Sequence, residues 1–91
     1  MGQKDGEIAR DWYVYLVECC DTSLYCGVTK NPEQRCTDHN TPKRGAKYTR
    51  ARQPVKLVWQ EGGYTKSEAY RKEYEIKRLS RAEKLKLIAN E

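Results

Sequence analysis

Trp12-Tyr13-Val14-Tyr15-Leu16-Val17-Glu18 and Leu24-Tyr25-Cys26-Gly27-Val28 are the two segments from which the fold is read. Both are rich in β-branched and aromatic residues, which suit a pleated, half-buried surface, so each reads as a strand. Cys20-Asp21-Thr22-Ser23 between them supplies turn chemistry, and the pair is expected to form an antiparallel hairpin. Side chains alternate along a strand, which puts Tyr13, Tyr15 and Val17 on one face and Trp12, Val14 and Leu16 on the other. Tyr15 and Tyr25 share a face only if opposed residue numbers sum to an even value, as when Val17 faces Tyr25 and Tyr15 faces Gly27. That register needs a turn with an odd number of residues, and Gly27 then leaves space beside the Tyr15 ring.

Outward from the hairpin, Asn31-Pro32-Glu33-Gln34 joins an N-cap residue to proline at the first helical position and glutamine three residues after the cap. It predicts a helix ending at His39 or Asn40. Thr41-Pro42-Lys43-Arg44-Gly45 breaks that helix, and the segment up to Pro54 reads as loop or a short turn of helix. A third strand is expected at Val55-Lys56-Leu57-Val58-Trp59-Gln60, closed by Gly62-Gly63. Capping boxes at Thr65-Lys66-Ser67-Glu68 and Ser80-Arg81-Ala82-Glu83 open two more helices, one through Leu79 and one to about Ala89. The order β-β-α-β-α-α predicts an α+β domain over residues 12–89, a three-stranded antiparallel sheet flanked by helices, after a polar lead-in at 1–11.

A chain of 91 residues has room for one small core. Leu, Ile, Val and Phe supply only 14 residues, a fraction that would suit a disordered chain, but nine Tyr and Trp fall inside the patterned segments and can contribute to a compact interior. No apolar run approaches the ~20 residues of a membrane span, and residues 1–7 carry no signal-peptide core, so a soluble, cytoplasmic protein is expected. Four cysteines at 19, 20, 26 and 36 then read as reduced thiols. Cys20, Cys26, Cys36 and His39 nominally make a zinc set, but no CxxC pair occurs and alternation along the strand separates the ligands.

The net charge of +5 is unevenly spread: residues 1–40 hold four basic and seven acidic groups, and the remainder fourteen basic and six acidic. Lys43, Arg44, Lys47, Arg50, Arg52 and Lys56 follow one another without an acid among them, with Tyr48 interleaved. Such a run is either a solvated surface or a phosphate-backbone contact, since each neutralised phosphate releases counterions whatever the base sequence. In the helix after Ser67, Ala69, Tyr70, Tyr74, Ile76 and Leu79 span one broad arc with Glu73 near its middle. A carboxylate facing a core needs a cation, a metal or hydrogen bonds. Arg35 and His39, four residues apart, share a helix face, the one presenting a planar fork suited to phosphate and the other a group able to hold or move a proton.

Taken in order, Tyr13-Val14-Tyr15, Tyr25-Cys26-Gly27, Arg35 and the helical Glu73 in Arg71-Lys72-Glu73-Tyr74-Glu75-Ile76-Lys77 resemble the GIY-YIG nuclease superfamily. Gly45-Ala46-Lys47-Tyr48-Thr49-Arg50-Ala51-Arg52 and Ser80-Arg81-Ala82-Glu83-Lys84-Leu85 extend the likeness to its small stand-alone bacterial members, across Trp12 to Ile88. Tyr13 stands where the first motif has glycine and Cys26 where the second has isoleucine. The resemblance implies that Tyr15 activates or positions the attacking water, Tyr25 orients water or phosphate, Arg35 holds the scissile phosphate and Glu73 binds a single divalent metal, Mg²⁺ or Mn²⁺. His39 matches a histidine present in some members, where it assists proton transfer. The implied activity is metal-dependent hydrolysis of DNA phosphodiesters, with a protein partner or the substrate's structure supplying specificity; from the basic run itself, Lys43, Arg44, Lys47, Arg50 and Arg52 are the expected nucleic-acid contacts. RNA as the substrate and a non-catalytic binding module of the same fold stand as alternatives.

Overall fold

The computed structural model describes residues 9–41 and 43–90; most of the expected lead-in, and Pro42, lie outside them. Strands β1 (Trp12–Glu18) and β2 (Leu24–Thr29) are followed by helix α1 (Pro32–His39), a short helix α2 (Lys47–Arg50), strand β3 (Lys56–Tyr64) and helices α3 (Lys66–Lys77) and α4 (Arg81–Ala89). The three strands form one antiparallel sheet in the order β2-β1-β3, so β1 is central. Its residues Val14 to Val17 are buried on both sides, as a strand covered on two faces requires.

The hairpin register pairs Val17 with Tyr25 and Tyr15 with Gly27, and the five residues from Cys19 to Ser23 make the odd-numbered turn. The two phenols therefore share a face. A Cβ at Gly27 would sit 2.5 Å from the Tyr15 hydroxyl oxygen, so only glycine lets the ring lie flat across β2.

The three longer helices begin where their caps dictate, whereas α2 starts after Ala46 without a side-chain cap. Asn31 accepts from the Gln34 amide at 3.1 Å, with Pro32 at the first helical position. Gln34 does not close a reciprocal box; its side chain turns forward to Asp38. Thr65 and Ser80 both form complete capping boxes with Glu68 and Glu83.

Two expectations are corrected. Strand β3 does not stop before Gly62-Gly63 but runs on to Tyr64, because β1 continues to pair with it through bulges on either side of the Val14–Leu16 stretch. Gly62 packs against the Tyr13 ring and Gly63 takes a φ of +88°, so the glycines bend the strand rather than end it. The apolar arc of α3 is also narrower than expected: Tyr70 and Tyr74 are 47 % and 62 % exposed, leaving Ala69 and Ile76 as the buried pair. Both tyrosines lean instead on surface groups, Tyr70 on Trp12 and Tyr74 on Arg78. Much of the aromatic content is therefore outside the core, whose aromatic members are Tyr15 and Trp59.

The core is divided by the sheet. Val14, Leu16, Cys26, Trp59, Ala69 and Ile76 fill the α3 side, with Leu87 and Ile88 of α4 at its margin. Tyr15, Val17, Cys19 and Val55 fill the α1 side, joined by Tyr25, Cys36 and Leu57.

Candidate active site

On the α1 side the chain brings four chemically capable groups together. Tyr15 Oη lies 2.8 Å from His39 Nε2, and both side chains are buried. The Tyr25 ring meets the imidazole edge-on at 5.3 Å between centroids. Arg35, one turn before His39 on α1, is half-exposed; its guanidinium donates to the Arg44 carbonyl at 3.2 Å and lies 3.9 Å from Asp38. Helix α1 is held in place at its C-terminal end, where the Asn40 side chain bonds both the amide and the carbonyl of Val55 and Gln53 donates to the His39 carbonyl at 2.7 Å.

Burial dominates the proton affinities. It pushes the Tyr15 phenol well above its ordinary value, assisted by Tyr25 and opposed by the neighbouring Arg35 guanidinium. It pushes His39 down to about 4, with Arg35 adding to the effect and Asp38 opposing it. Near neutral pH the pair is therefore an uncharged phenol facing an uncharged imidazole.

Glu73 comes from the opposite side of the sheet. Its carboxylate is largely covered, with 17 % of the side chain exposed, and Lys77 Nζ lies 3.3 Å from it one turn along α3. Its charge is felt at Cys26, whose thiol is pushed up to about 12 by burial first and Glu73 second. Because β2 is an edge strand, Lys77 reaches round it to within 6.0 Å of the Tyr25 ring centroid. Tyr25 and Glu73 thus approach one sheet edge from opposite faces.

The basic segment divides as well. Lys43, Arg44, Lys47 and Arg50 extend into solvent. Arg52 is committed to other partners: it bonds Asp21 at 3.0 Å and the Tyr48 carbonyl at 2.8 Å, and its guanidinium lies 3.9 Å from the Tyr48 ring centroid. Tyr48 in turn stacks on Tyr25.

A hard divalent ion fits the donors present. Glu73 is a single carboxylate, partly covered and with one exposed partner in Lys77, and Mg²⁺ or Mn²⁺ is commonly held by one or two carboxylates, waters and substrate phosphate. Zinc does not fit: among the described residues no three of His, Cys, Asp and Glu converge, Cys26 faces α3, and both His39 nitrogens are already bonded. The thiols are free, with Cys19 and Cys26 buried.

Sequence reasoning did not single out Thr49, Gly45, Asn40 or Lys77 as parts of this site. Thr49 and Gly45 lie in a segment with no periodicity to mark them, and Asn40 showed only as a helix end.

The sequence pattern of the GIY-YIG catalytic domain matches residues 11–86, and the chain belongs to this family, a nuclease superfamily. It is 59 % identical over 76 residues to a UPF0213 protein of Staphylococcus haemolyticus, covering 84 % of this chain and 92 % of that one. A UPF0213 protein of Natronomonas pharaonis is 50 % identical over 84 residues, 92 % of this chain and 98 % of that one. The solution NMR structure of the UPF0213 protein BH0048 from Bacillus halodurans superposes with a TM-score of 0.56 at 44 % identity, covering 88 % of this chain and 84 % of that one. That of EF2693 from E. faecalis gives 0.57 at 40 % identity over 91 % of each chain.

Proposed function

We propose that this protein is a divalent-metal-dependent endonuclease that hydrolyses phosphodiester bonds in DNA and cuts one strand per site. The observation that carries the reading is the contact between Tyr15 and His39 beneath Tyr25, beside a half-exposed Arg35. Hydrolysis needs a deprotonated water, neutralised phosphate oxygens and a stabilised leaving oxygen.

Arg35 is the group able to take a phosphate in a planar fork, since its present acceptors are a backbone carbonyl and a distant carboxylate that a substrate can replace. Glu73 would hold the metal ion, which when bound supplies charge neutralisation at the phosphate and the leaving oxygen. Tyr15 is too buried to be a standing phenolate. It acts as a relay: the phenol oxygen takes a proton from water as its own proton passes to His39 Nε2, and the water oxygen attacks phosphorus. Tyr25 on the exposed side orients that water or the phosphate. Lys43, Arg44, Lys47 and Arg50 extend the positive surface along the backbone of the nucleic acid, and specificity comes from substrate structure or from a partner protein.

A second reading, a nucleic-acid-binding module without turnover, draws on the burial of Tyr15 and His39, which are 1 % and 0 % exposed. Incubation of supercoiled, branched and single-stranded DNA with the purified protein and Mg²⁺ or Mn²⁺, beside Glu73→Gln, separates the two. Metal-dependent nicking lost in the variant supports the enzyme; binding without nicking in both supports the module. RNA of the same forms, tested in parallel, fixes the nucleic acid.

A further inference from the structure

We propose that Thr49 is a positioning residue: its hydroxyl holds His39 in the tautomer with the proton on Nδ1, leaving the Nε2 lone pair free to receive the Tyr15 proton. The catalytic consequence rests on the nuclease reading above; the tautomer follows from counting donors and acceptors.

Neutral imidazole has one N–H and one lone pair, and the hydrogen bond at one nitrogen decides what the other can do. His39, Tyr15 and Thr49 are all essentially inaccessible to solvent, so each polar atom must find its partner within the protein. The Tyr15 hydroxyl has His39 Nε2, at 2.8 Å, as its only acceptor among the described residues. Were the imidazole proton on Nε2, the phenol oxygen would accept it, and the phenol proton, turned away from His39, would have no acceptor among the described residues. The proton therefore resides on Nδ1, 2.8 Å from Thr49 Oγ1. Thr49 can accept it because its own proton has a separate outlet, the Ala46 carbonyl at 3.0 Å. The resulting chain runs from Tyr15 O–H to Nε2, from Nδ1–H to Thr49 Oγ1, and from the Thr49 hydroxyl to the Ala46 carbonyl. Every member is satisfied. The Ala46 amide, 3.4 Å from Nδ1, would suit the opposite tautomer, but that contact is longer and gives the phenol proton nowhere to go.

The backbone is shaped for this arrangement. A Cβ at Gly45 would lie 2.8 Å from His39 Cα and 2.9 Å from Thr49 Oγ1, so glycine is what lets the segment close over the imidazole. Thr49 then sits within the short helix α2, its amide bonded to the Ala46 carbonyl at 3.0 Å. In the relay, the proton leaving Tyr15 lands on Nε2, and the imidazolium keeps Nδ1–H on Thr49. With the opposite tautomer Nε2 has no lone pair to offer, and transfer stops.

The chain contains one histidine, so long-range ¹H–¹⁵N NMR reads His39 without ambiguity. The parent protein near neutral pH is expected to show Nδ1 protonated and Nε2 bare. Thr49→Ser keeps that pattern, whereas Thr49→Val, which retains the shape without the hydroxyl, gives an averaged or reversed one. Amide dispersion confirms that the variants fold; if Thr49→Val does not, Thr49→Ala replaces it, and the parent spectrum alone already decides the tautomer. Nε2–H in the parent, or an unchanged spectrum in Thr49→Val, would overturn the proposal. In nicking assays Thr49→Val is expected to lose about 10- to 100-fold in kcat with KM unchanged, the scale seen when a partner that orients a histidine is removed, and Thr49→Ser to restore it. Full kcat in a variant that has lost the tautomer refutes the positioning role. A parent that cleaves no substrate refutes the nuclease reading instead and leaves the NMR result standing.

Discussion

On the α3 side of the sheet Val14, Leu16, Cys26, Trp59, Ala69 and Ile76 close an apolar layer, and Glu73 with Lys77 lies at its border. On the α1 side the same central strand turns Tyr15 toward His39 and Thr49, so the interior there is built partly from a phenol, an imidazole and a hydroxyl. Both layers are equally closed to solvent, yet they rest on different physics. The apolar side tolerates imperfect packing at a graded cost, because dispersion and hydrophobic burial are non-directional. The polar side tolerates little, because each buried donor or acceptor that loses its partner carries its whole desolvation penalty. One face can therefore drift under substitution while the other must keep its geometry, which is the property a proton relay needs.

The largest expected effect tests the carboxylate at the border of the apolar side. Glu73→Gln should lower metal-dependent cleavage by at least ~100-fold, as removal of a group that stabilises transition-state charge does. Its melting temperature should hardly change, since the Lys77 ammonium that partners it is about half exposed and such pairs contribute about 0 to 1 kcal/mol. Thermal melts and nicking on one preparation check this, and a strongly destabilised variant with undiminished specific activity would break the assignment.

Next come two glycines that meet tyrosine rings at the same distance. A Cβ at Gly27 or at Gly62 would lie 2.5 Å from its tyrosine, but the Tyr15 ring is enclosed in the polar layer and the Tyr13 ring is only half-buried. Gly27→Ala should cost about 1 to 3 kcal/mol, the range for overpacking a closed interior, and Gly62→Ala distinctly less, as Tyr13 can swing outward. Equal losses in denaturant titrations would mean the polar layer is no more rigid than the rim.

The rim itself is tested by replacing Lys43, Arg44 and Lys47 together with Ala. Nucleic-acid affinity should fall about 10-fold, uniformly across sequences, and the salt dependence should flatten, as loss of phosphate contacts requires. An unchanged salt slope would return the segment to ordinary surface.

The smallest effect is a pH dependence confined to the polar side. His39 titrates at about 4 in the folded chain against an ordinary value near 6.5, so between these limits the unfolded chain holds more protons and stability falls as the pH is lowered. The melting temperature should drop by a few degrees from about pH 7 to about pH 5, and His39→Gln should flatten that drop. Asp21, Glu68 and Glu83, whose carboxyls are held below their usual range by hydrogen bonds, contribute only under more acid conditions. Differential scanning calorimetry across the two windows separates them.

Most of the architecture was legible without coordinates because it is carried by short-range signals. Both capping boxes, the proline at the start of α1 and the alternation of β1 are local in the chain and independent of the rest. The odd-numbered turn likewise constrains register by parity alone, so Tyr15 and Tyr25 could be assigned conditionally to one face. The misreadings have an equally physical origin. Helical periodicity shows that Tyr70 and Tyr74 lie toward one arc but not how wide a strip the sheet can cover, and the sheet covers only the width of Ala69 and Ile76. Gly62-Gly63 reads as a stop in isolation, whereas continued pairing with β1 carries the strand through it.

The site was legible as a list of side chains and not as an arrangement. Sequence by itself determined which groups are present: a phenol on each hairpin strand, a guanidinium and an imidazole one helical turn apart, and a carboxylate on the buried strip of a later helix. Tertiary structure alone decided that Thr49 reaches His39, that Arg52 is taken up by Asp21 and Tyr48, and that Lys77, the partner of Glu73, reaches round the β2 edge toward the Tyr25 ring. The first kind of information is set by steric and hydrogen-bond preferences that act within a few residues. The second arises when segments far apart in the chain are forced together by burial, and hydrogen bonds between them are specified only once every backbone path is closed.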